Sequence, residues 1–124
     1  MILSINHIQL VAEKELVIQL RDFYCDVVGL TEGFRPAFER FGFWLYIGEK
    51  DVLHLITPKE GDKRSQQKSS FDHVAFKTDN YKGVLRNLQS LRIPFEEKLI
   101  PGMAAHQIFL RDPAGNRVEL NFDE

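Results

Sequence analysis

Three histidines and one glutamate stand at matching places in the two halves of this chain. His7 and His73 are 66 residues apart, and His54 and Glu119 are 65 residues apart. Each lies in a run that alternates with apolar neighbours, so that the apolar residues take one face of a strand and the polar residue takes the other. Three imidazoles and a carboxylate suit zinc, nickel, cobalt, iron or manganese. The predicted metal ligands are His7, His54, His73 and Glu119.

The matching places belong to an internal repeat of secondary-structure patterns, which begins with strand-like alternation over residues 5–11. Helical spacing follows from about Lys14, and Gly29 is placed to end that helix in a left-handed conformation. Three more strands are predicted over residues 34–38, 41–47 and 52–57, with GEKD as the turn of a hairpin between the last two.

The second half repeats this order. Residues 71–77 alternate like the first strand, Asn80 is placed to cap a helix, and Pro94 stops that helix. Further strands are predicted over residues 95–100 and 104–110 and after the DPAGN turn. The pattern indicates an α+β fold of two βαβββ modules. Module one covers residues 1–58, a polar linker covers 59–70, and module two covers 71–124.

The four candidate ligands are predicted to lie on the sheet faces turned away from the helices. If each sheet curls, that face is concave, and pairing of the modules brings the ligands towards one cavity. His106 is left out of the predicted site, because its neighbour Gln107 is expected to share a face with Glu119 across the hairpin.

Composition restricts the function classes. The chain has 124 residues and a formal charge of −2, which is ordinary for a globular protein and gives no basic field for nucleic acid. Cys25 is the one cysteine, and no leader or long apolar run is visible, which favours a cytoplasmic protein without a disulfide or a membrane segment. The expected partner is a small-molecule substrate.

Residues 33–48 are rich in aromatic side chains. Trp44 is a candidate for contact with an apolar substrate and Arg35 for contact with an anionic group, although a core or interface role fits the aromatic residues as well. Gln107 is a third candidate, as a hydrogen-bond partner of a substrate oxygen.

The ligand pattern and the segment DPAGNRVEL, close to the form DPDGN-hydrophobe-E, resemble the vicinal oxygen chelate superfamily. That superfamily includes glyoxalase I, fosfomycin-resistance thiol transferases, methylmalonyl-CoA epimerase, extradiol dioxygenases and bleomycin-resistance proteins. The likeness is closest in type to small glyoxalase-family metalloenzymes. It implies a single glyoxalase-like domain over residues 1–124, in which two modules form a cup with helices on the outer face, and a divalent metal chelated by adjacent substrate oxygens.

By this resemblance, His7, His73 and Glu119 match the shared ligand set. His54 stands where glyoxalase I has a glutamate and the epimerase a glutamine. The implied activity is that of a metal-dependent lyase or isomerase, with Glu119 as ligand and catalytic proton shuttle and the metal as Lewis acid. Val11 stands where bacterial glyoxalase I has an arginine that binds glutathione, which argues against glutathione as co-substrate.

Other functions of the same family stay open. A ring-cleaving dioxygenase needs open coordination positions on its metal, and a fourth protein ligand at His54 leaves fewer of them. A thiol transferase needs a cluster of cationic residues, which Arg111 and Arg117 do not obviously form. A non-catalytic drug-binding protein of the bleomycin-resistance type lacks metal ligands. The resemblance also implies a homodimer, in which the cup is closed by one chain or shared between two.

Overall fold

The computed structural model describes residue 1 and residues 3–61, 73–99 and 106–123. The chain divides into two compact units, Met1–Gln66 and Gln67–Glu124. Most of the predicted linker, together with residues 71–72, 100 and 104–105 of the predicted strands, lies outside the described residues.

The first unit contains a four-stranded mixed sheet and one helix. The elements are β1 (Ile8–Val11), α1 (Lys14–Phe23), β2 (Thr31–Gly33), β3 (Gly42–Ile47) and β4 (Lys50–Ile56). Strand β1 runs parallel to β4, and the other neighbours are antiparallel, in the order β1-β4-β3-β2. Helix α1 continues into a π-helical turn over Tyr24–Val28.

The second unit has the same arrangement. Its elements are β5 (His73–Lys77), α2 (Tyr81–Ser90), β6 (Glu96–Leu99), β7 (His106–Arg111) and β8 (Arg117–Phe122). Its sheet order is β5-β8-β7-β6, and again the first and last strands along the chain pair in parallel. The structure therefore confirms the α+β class and the two βαβββ modules.

Each helix covers one face of its own sheet, and the candidate ligands of the strands lie on the other face. Alternation along β4 and β8 places the apolar residues on the helix side, which is why the candidate ligands between them point the other way. In the first unit, the buried apolar residues of α1 are Val17, Leu20 and Phe23, and those of the sheet are Leu45, Leu53 and Leu55. In the second unit, Leu88 of α2 is buried, and Tyr81 packs edge-on against Phe122 at 5.3 Å.

The predicted helix ends are confirmed. Gly29 adopts φ +102°, a left-handed conformation that costs glycine little, directly after the π-helical turn. Asn80 caps α2, because its side-chain oxygen accepts a hydrogen bond from the Gly83 N–H at 3.2 Å. The helix ends at Ser90, before Pro94.

The strand predicted over residues 34–38 is wrong. Strand β2 lies earlier, over Thr31–Gly33, and pairs with Thr31 opposite Tyr46 and Gly33 opposite Trp44. Pro36 lacks the N–H that a sheet requires, and Tyr46 donates its hydroxyl to the Phe34 carbonyl at 2.6 Å, which holds this segment as a loop. The aromatic composition of the segment therefore misled the prediction.

The DPAGN turn is organised by one carboxylate. Asp112 is 4% exposed, and its Oδ1 accepts hydrogen bonds from the backbone N–H groups of Ala114 and Asn116 at 2.9 and 2.8 Å. Its Oδ2 accepts a third from the Asn116 side chain at 2.9 Å. Gly115 completes the turn at φ +87°. This turn sets the register in which β8 returns along β7.

Cys25 lies in the π-helical turn, partly buried. Burial raises the pKa of its thiol, an effect that outweighs a backbone hydrogen bond at Glu32. We expect the folded protein to react with a disulfide reagent at pH 8 more slowly than the unfolded chain, because less thiolate is present. Absorbance kinetics with and without guanidinium chloride measure this, and equal rates would contradict it.

Candidate functional site

In the first unit, the two predicted histidines lie together. The rings of His7 and His54 stack at 3.9 Å with an interplanar angle of 16°. On its other side, His54 stacks against Trp44 at 4.1 Å and 4°. Sheet pairing explains this arrangement, because Trp44 and Gln9 are the register partners of His54 on the adjacent strands. His54 is 8% exposed, whereas His7 lies at the surface before β1.

A carboxylate that the sequence did not indicate holds His54 in place. Asp51 Oδ2 lies 2.6 Å from His54 Nε2, and this hydrogen bond holds the pKa of Asp51 below its usual range. In a regular strand, residues three apart point to opposite faces. Here the register shifts between Leu45 and Tyr46 in the partner strand, and this irregularity accompanies the contact between Asp51 and His54.

In the second unit, the other two predicted ligands face each other. His73 Nε2 lies 3.3 Å from Glu119 Oε1. Glu119 is 6% exposed, and its register partners are Ala75 and Phe109, so that His73 reaches it diagonally from β5. The ring of His73 also meets Phe109 edge-on at 6.1 Å.

Polar neighbours fix the other oxygen of this carboxylate. The Asn121 side chain donates a hydrogen bond to Glu119 Oε2 at 3.0 Å. Gln107 pairs with Asn121 across the hairpin, which places Gln107 on the same face as Glu119, as the sequence predicts. His106 stacks instead on Tyr81 of α2 at 4.3 Å, which is consistent with its exclusion from the site.

The two donor atoms of the second unit are spaced as two ligands of one divalent metal would be. Two donors that are each about 2.1 Å from one ion in tetrahedral geometry lie roughly 3.4 Å apart, close to the 3.3 Å between His73 and Glu119. The His7 and His54 rings are nearly parallel, so their in-plane lone pairs do not meet at one point. His7 would have to leave the stack to share an ion with His54. Neither unit, over its described residues, gathers three such ligands.

Trp44 and Arg35, the two substrate-binding candidates of the first unit, line one cavity of about 490 Å³. Phe38, Glu39, Arg40 and Lys59 also line it, and so does His54. The cavity thus adjoins the imidazole stack, and the described residues that line it belong to the first unit.

Sequence reasoning missed two of the residues that organise these pairs. Asn121 was visible as a neighbour of Glu119 on the same strand face, so period-two alternation could have indicated its role. Asp51 could not be found in this way, because its contact with His54 accompanies a local register shift.

In the described part of the chain, no helix is long and apolar enough to cross a membrane.

A model of the Glyoxalase/Bleomycin resistance protein/Dioxygenase superfamily matches residues 4–120. Among curated protein sequences, none matches the chain.

Solved structures resemble the chain over nearly its whole length. A glyoxalase family protein from Bacillus anthracis has a TM-score of 0.78 at 22% identity, with 100% of this chain and 98% of that chain covered. A lactoylglutathione lyase from Agrobacterium tumefaciens has a TM-score of 0.67 at 22% identity, covering 96% and 92%. A fosfomycin resistance protein from Listeria monocytogenes has a TM-score of 0.71 at 16% identity, covering 100% and 96%. At these identities the likeness supports the fold and not a shared reaction.

Proposed function

Because this chain belongs to the Glyoxalase/Bleomycin resistance protein/Dioxygenase superfamily, we propose that it is a divalent-metal-dependent lyase or isomerase. Its substrate would be a small molecule with two oxygens on adjacent carbons. The observation that carries the proposal is the facing pair of His73 and Glu119 at 3.3 Å on a buried strand face. The proposed ligands are His7, His54, His73 and Glu119, and the proposed metal is zinc, nickel, cobalt, iron or manganese.

A metal in this site would act as a Lewis acid on the substrate oxygens. Glu119 would accept a proton from the carbon that bears one of those oxygens and return it to the adjacent carbon that bears the other. One carboxylate would thus serve both proton-transfer steps. Asn121 orients this carboxylate through Oε2, which leaves Oε1 directed towards His73. Gln107, on the same face, is placed to donate a hydrogen bond to a substrate oxygen.

Metal binding tests the proposal directly. We expect Zn²⁺, Ni²⁺ or Mn²⁺ to stabilise chelator-treated protein against urea by about 1.4 kcal/mol when free metal is tenfold above its Kd. Mg²⁺ prefers oxygen ligands and is the control. Titration calorimetry gives the Kd, and urea unfolding gives the stabilisation. A protein whose stability ignores all three transition metals would refute the proposal.

A homodimer is part of the same proposal, and a mixing experiment asks whether one chain or two build the site. One variant replaces His7 and His54 with alanine, and the other replaces His73 with alanine and Glu119 with glutamine. If two chains share each site, re-equilibrated mixtures recover about a quarter of the metal-binding capacity, because one site of each mixed dimer is intact. If each chain builds its own site, mixing recovers none.

A non-catalytic binding protein for aromatic drugs is the second candidate. The observation that favours it is the cavity, in which Phe38 lies 6.0 Å from Trp44. A thermal-shift screen separates the two candidates: drug binding predicts stabilisation by aromatic compounds and none by metals. The cationic residues around the cavity make aromatic cations poor ligands for it.

A further inference from the structure

The cavity beside the imidazole stack has a one-sided charge distribution. Its lining includes the cations Arg35, Arg40 and Lys59 and one carboxylate, Glu39. Within the described residues, none of these cations forms an ion pair with a carboxylate. Among the described residues, the positive charges at this cavity therefore have no carboxylate bound to them.

Arg35 is the most constrained of the three cations. Its Nη2 donates a hydrogen bond to the Arg40 carbonyl at 2.9 Å, and its Nε is buried without an acceptor in the described part of the chain. The guanidinium lies over the Phe38 ring at 5.1 Å. Burial, and secondarily the charge of Arg40, lower the pKa of Arg35. The unpartnered Nε and the lowered pKa indicate a guanidinium whose charge the described residues compensate incompletely.

An aromatic wall lies next to these cations. Trp44 is held flat against His54, and its ring also lies 6.0 Å from that of Phe38. The cavity volume of about 490 Å³ falls within the range of about 300–1,000 Å³ that is typical of small-molecule sites. A planar apolar group can lie against these rings while a negative group reaches the cations.

We propose that this cavity binds the substrate, and that the substrate is an aromatic or similarly planar apolar molecule bearing a carboxylate. Trp44 and Phe38 contact its ring, and Arg35, supported by Arg40, binds its carboxylate. The statement that this aromatic carboxylate is the substrate rests on the proposed function. Its binding to the cavity can be measured without metal.

Trp44 is the only tryptophan of the chain, so its fluorescence reports on the cavity directly. The probe is 3-phenylpropanoate, compared with its neutral amide and with propanoate, in full-length protein treated with chelator. We expect a saturable fluorescence change with 3-phenylpropanoate. The amide should bind about tenfold more weakly because it lacks the charge-assisted hydrogen bond. Propanoate, which lacks the ring, should also bind about tenfold more weakly.

Variants assign the carboxylate to Arg35. Arg35→Gln should weaken 3-phenylpropanoate binding by about tenfold and leave amide binding unchanged. Arg86→Gln, the same change on the exposed side of α2, should bind like the wild type. If Arg35→Gln unfolds the protein, Arg40→Gln keeps the carbonyl that holds Arg35 and should weaken carboxylate binding about threefold.

The inference is overturned if 3-phenylpropanoate gives no saturable change, if the carboxylate and amide bind equally, or if neither arginine variant alters their ratio. Because all titrations are metal-free, such a result leaves the metal proposal standing. Conversely, binding of 3-phenylpropanoate by a protein that does not bind transition metals would support the cavity proposal and refute the metal-dependent reaction.

Discussion

Glu119→Gln is expected to weaken transition-metal binding by at least about 100-fold. Loss of a residue that only supports a metal ligand already lowers metal affinity by about 10- to 100-fold. This substitution removes the negative charge of a proposed ligand itself, because Glu119 is 6% exposed and its Oε1 faces His73 Nε2 at 3.3 Å. Glutamine has nearly the same shape and keeps an oxygen for the Asn121 side chain. The apoprotein should therefore fold normally while the stabilisation by metal disappears.

Calorimetric metal titration and urea unfolding with and without metal measure these two effects. The matched control is Glu49→Gln, the same chemical change in the exposed turn between β3 and β4. It should leave metal affinity within about twofold of the wild type, because an exposed charge in water interacts weakly. Wild-type affinity in Glu119→Gln would mean that this carboxylate is not a ligand.

Asp112→Ala is expected to lower the free energy of unfolding by about 3 kcal/mol. The substitution leaves the backbone N–H groups of Ala114 and Asn116 without the carboxylate that they donate to, and a hydrogen bond to a charged group contributes about 1.5–3 kcal/mol. The loop between β7 and β8 also loses the bond from the Asn116 side chain.

Asp112→Asn tests whether the carboxylate acts as an acceptor. It keeps an oxygen for the two backbone donors and should cost only about 1 kcal/mol. Asp79→Ala, in the exposed segment before α2, should change stability by less than about 0.5 kcal/mol. Urea denaturation with constant slope measures all three variants. Equal losses for Asp112→Ala and Asp79→Ala would show that the turn folds without its carboxylate.

Most of the fold was predictable because the repeat determines it twice. Leu45 pairs with Leu53 and Leu110 with Val118, so the last hairpin has the same span in both units. Hydrophobic alternation then assigns each candidate ligand to the face opposite the helix. The misplaced strand before β3 shows the limit: aromatic residues suggest a strand, but Pro36 and the hydrogen bond to Phe34 make a loop.

The site was predictable only in part. Alternation predicted that His73 and Glu119 share a sheet face, and the structure has His73 beside Glu119 and His7 beside His54. Alternation does not reveal that Trp44 and His7 both stack on His54, or that Asp51 binds this buried ring, because these contacts depend on side-chain rotamers and on a local register shift. Whether the two pairs bind one ion stays a prediction.

The parallel pairing of the first strand of each unit with its last strand has a consequence for folding. Neither pair of proposed ligands can meet until the strands most distant along that unit have joined, and such non-local pairing is slow. During folding of the second unit, His73 would have no Glu119 beside it until β5 and β8 had paired. Protection of β5 and β8 amides in pulsed hydrogen exchange should therefore coincide with the appearance of metal affinity during refolding, and not precede it.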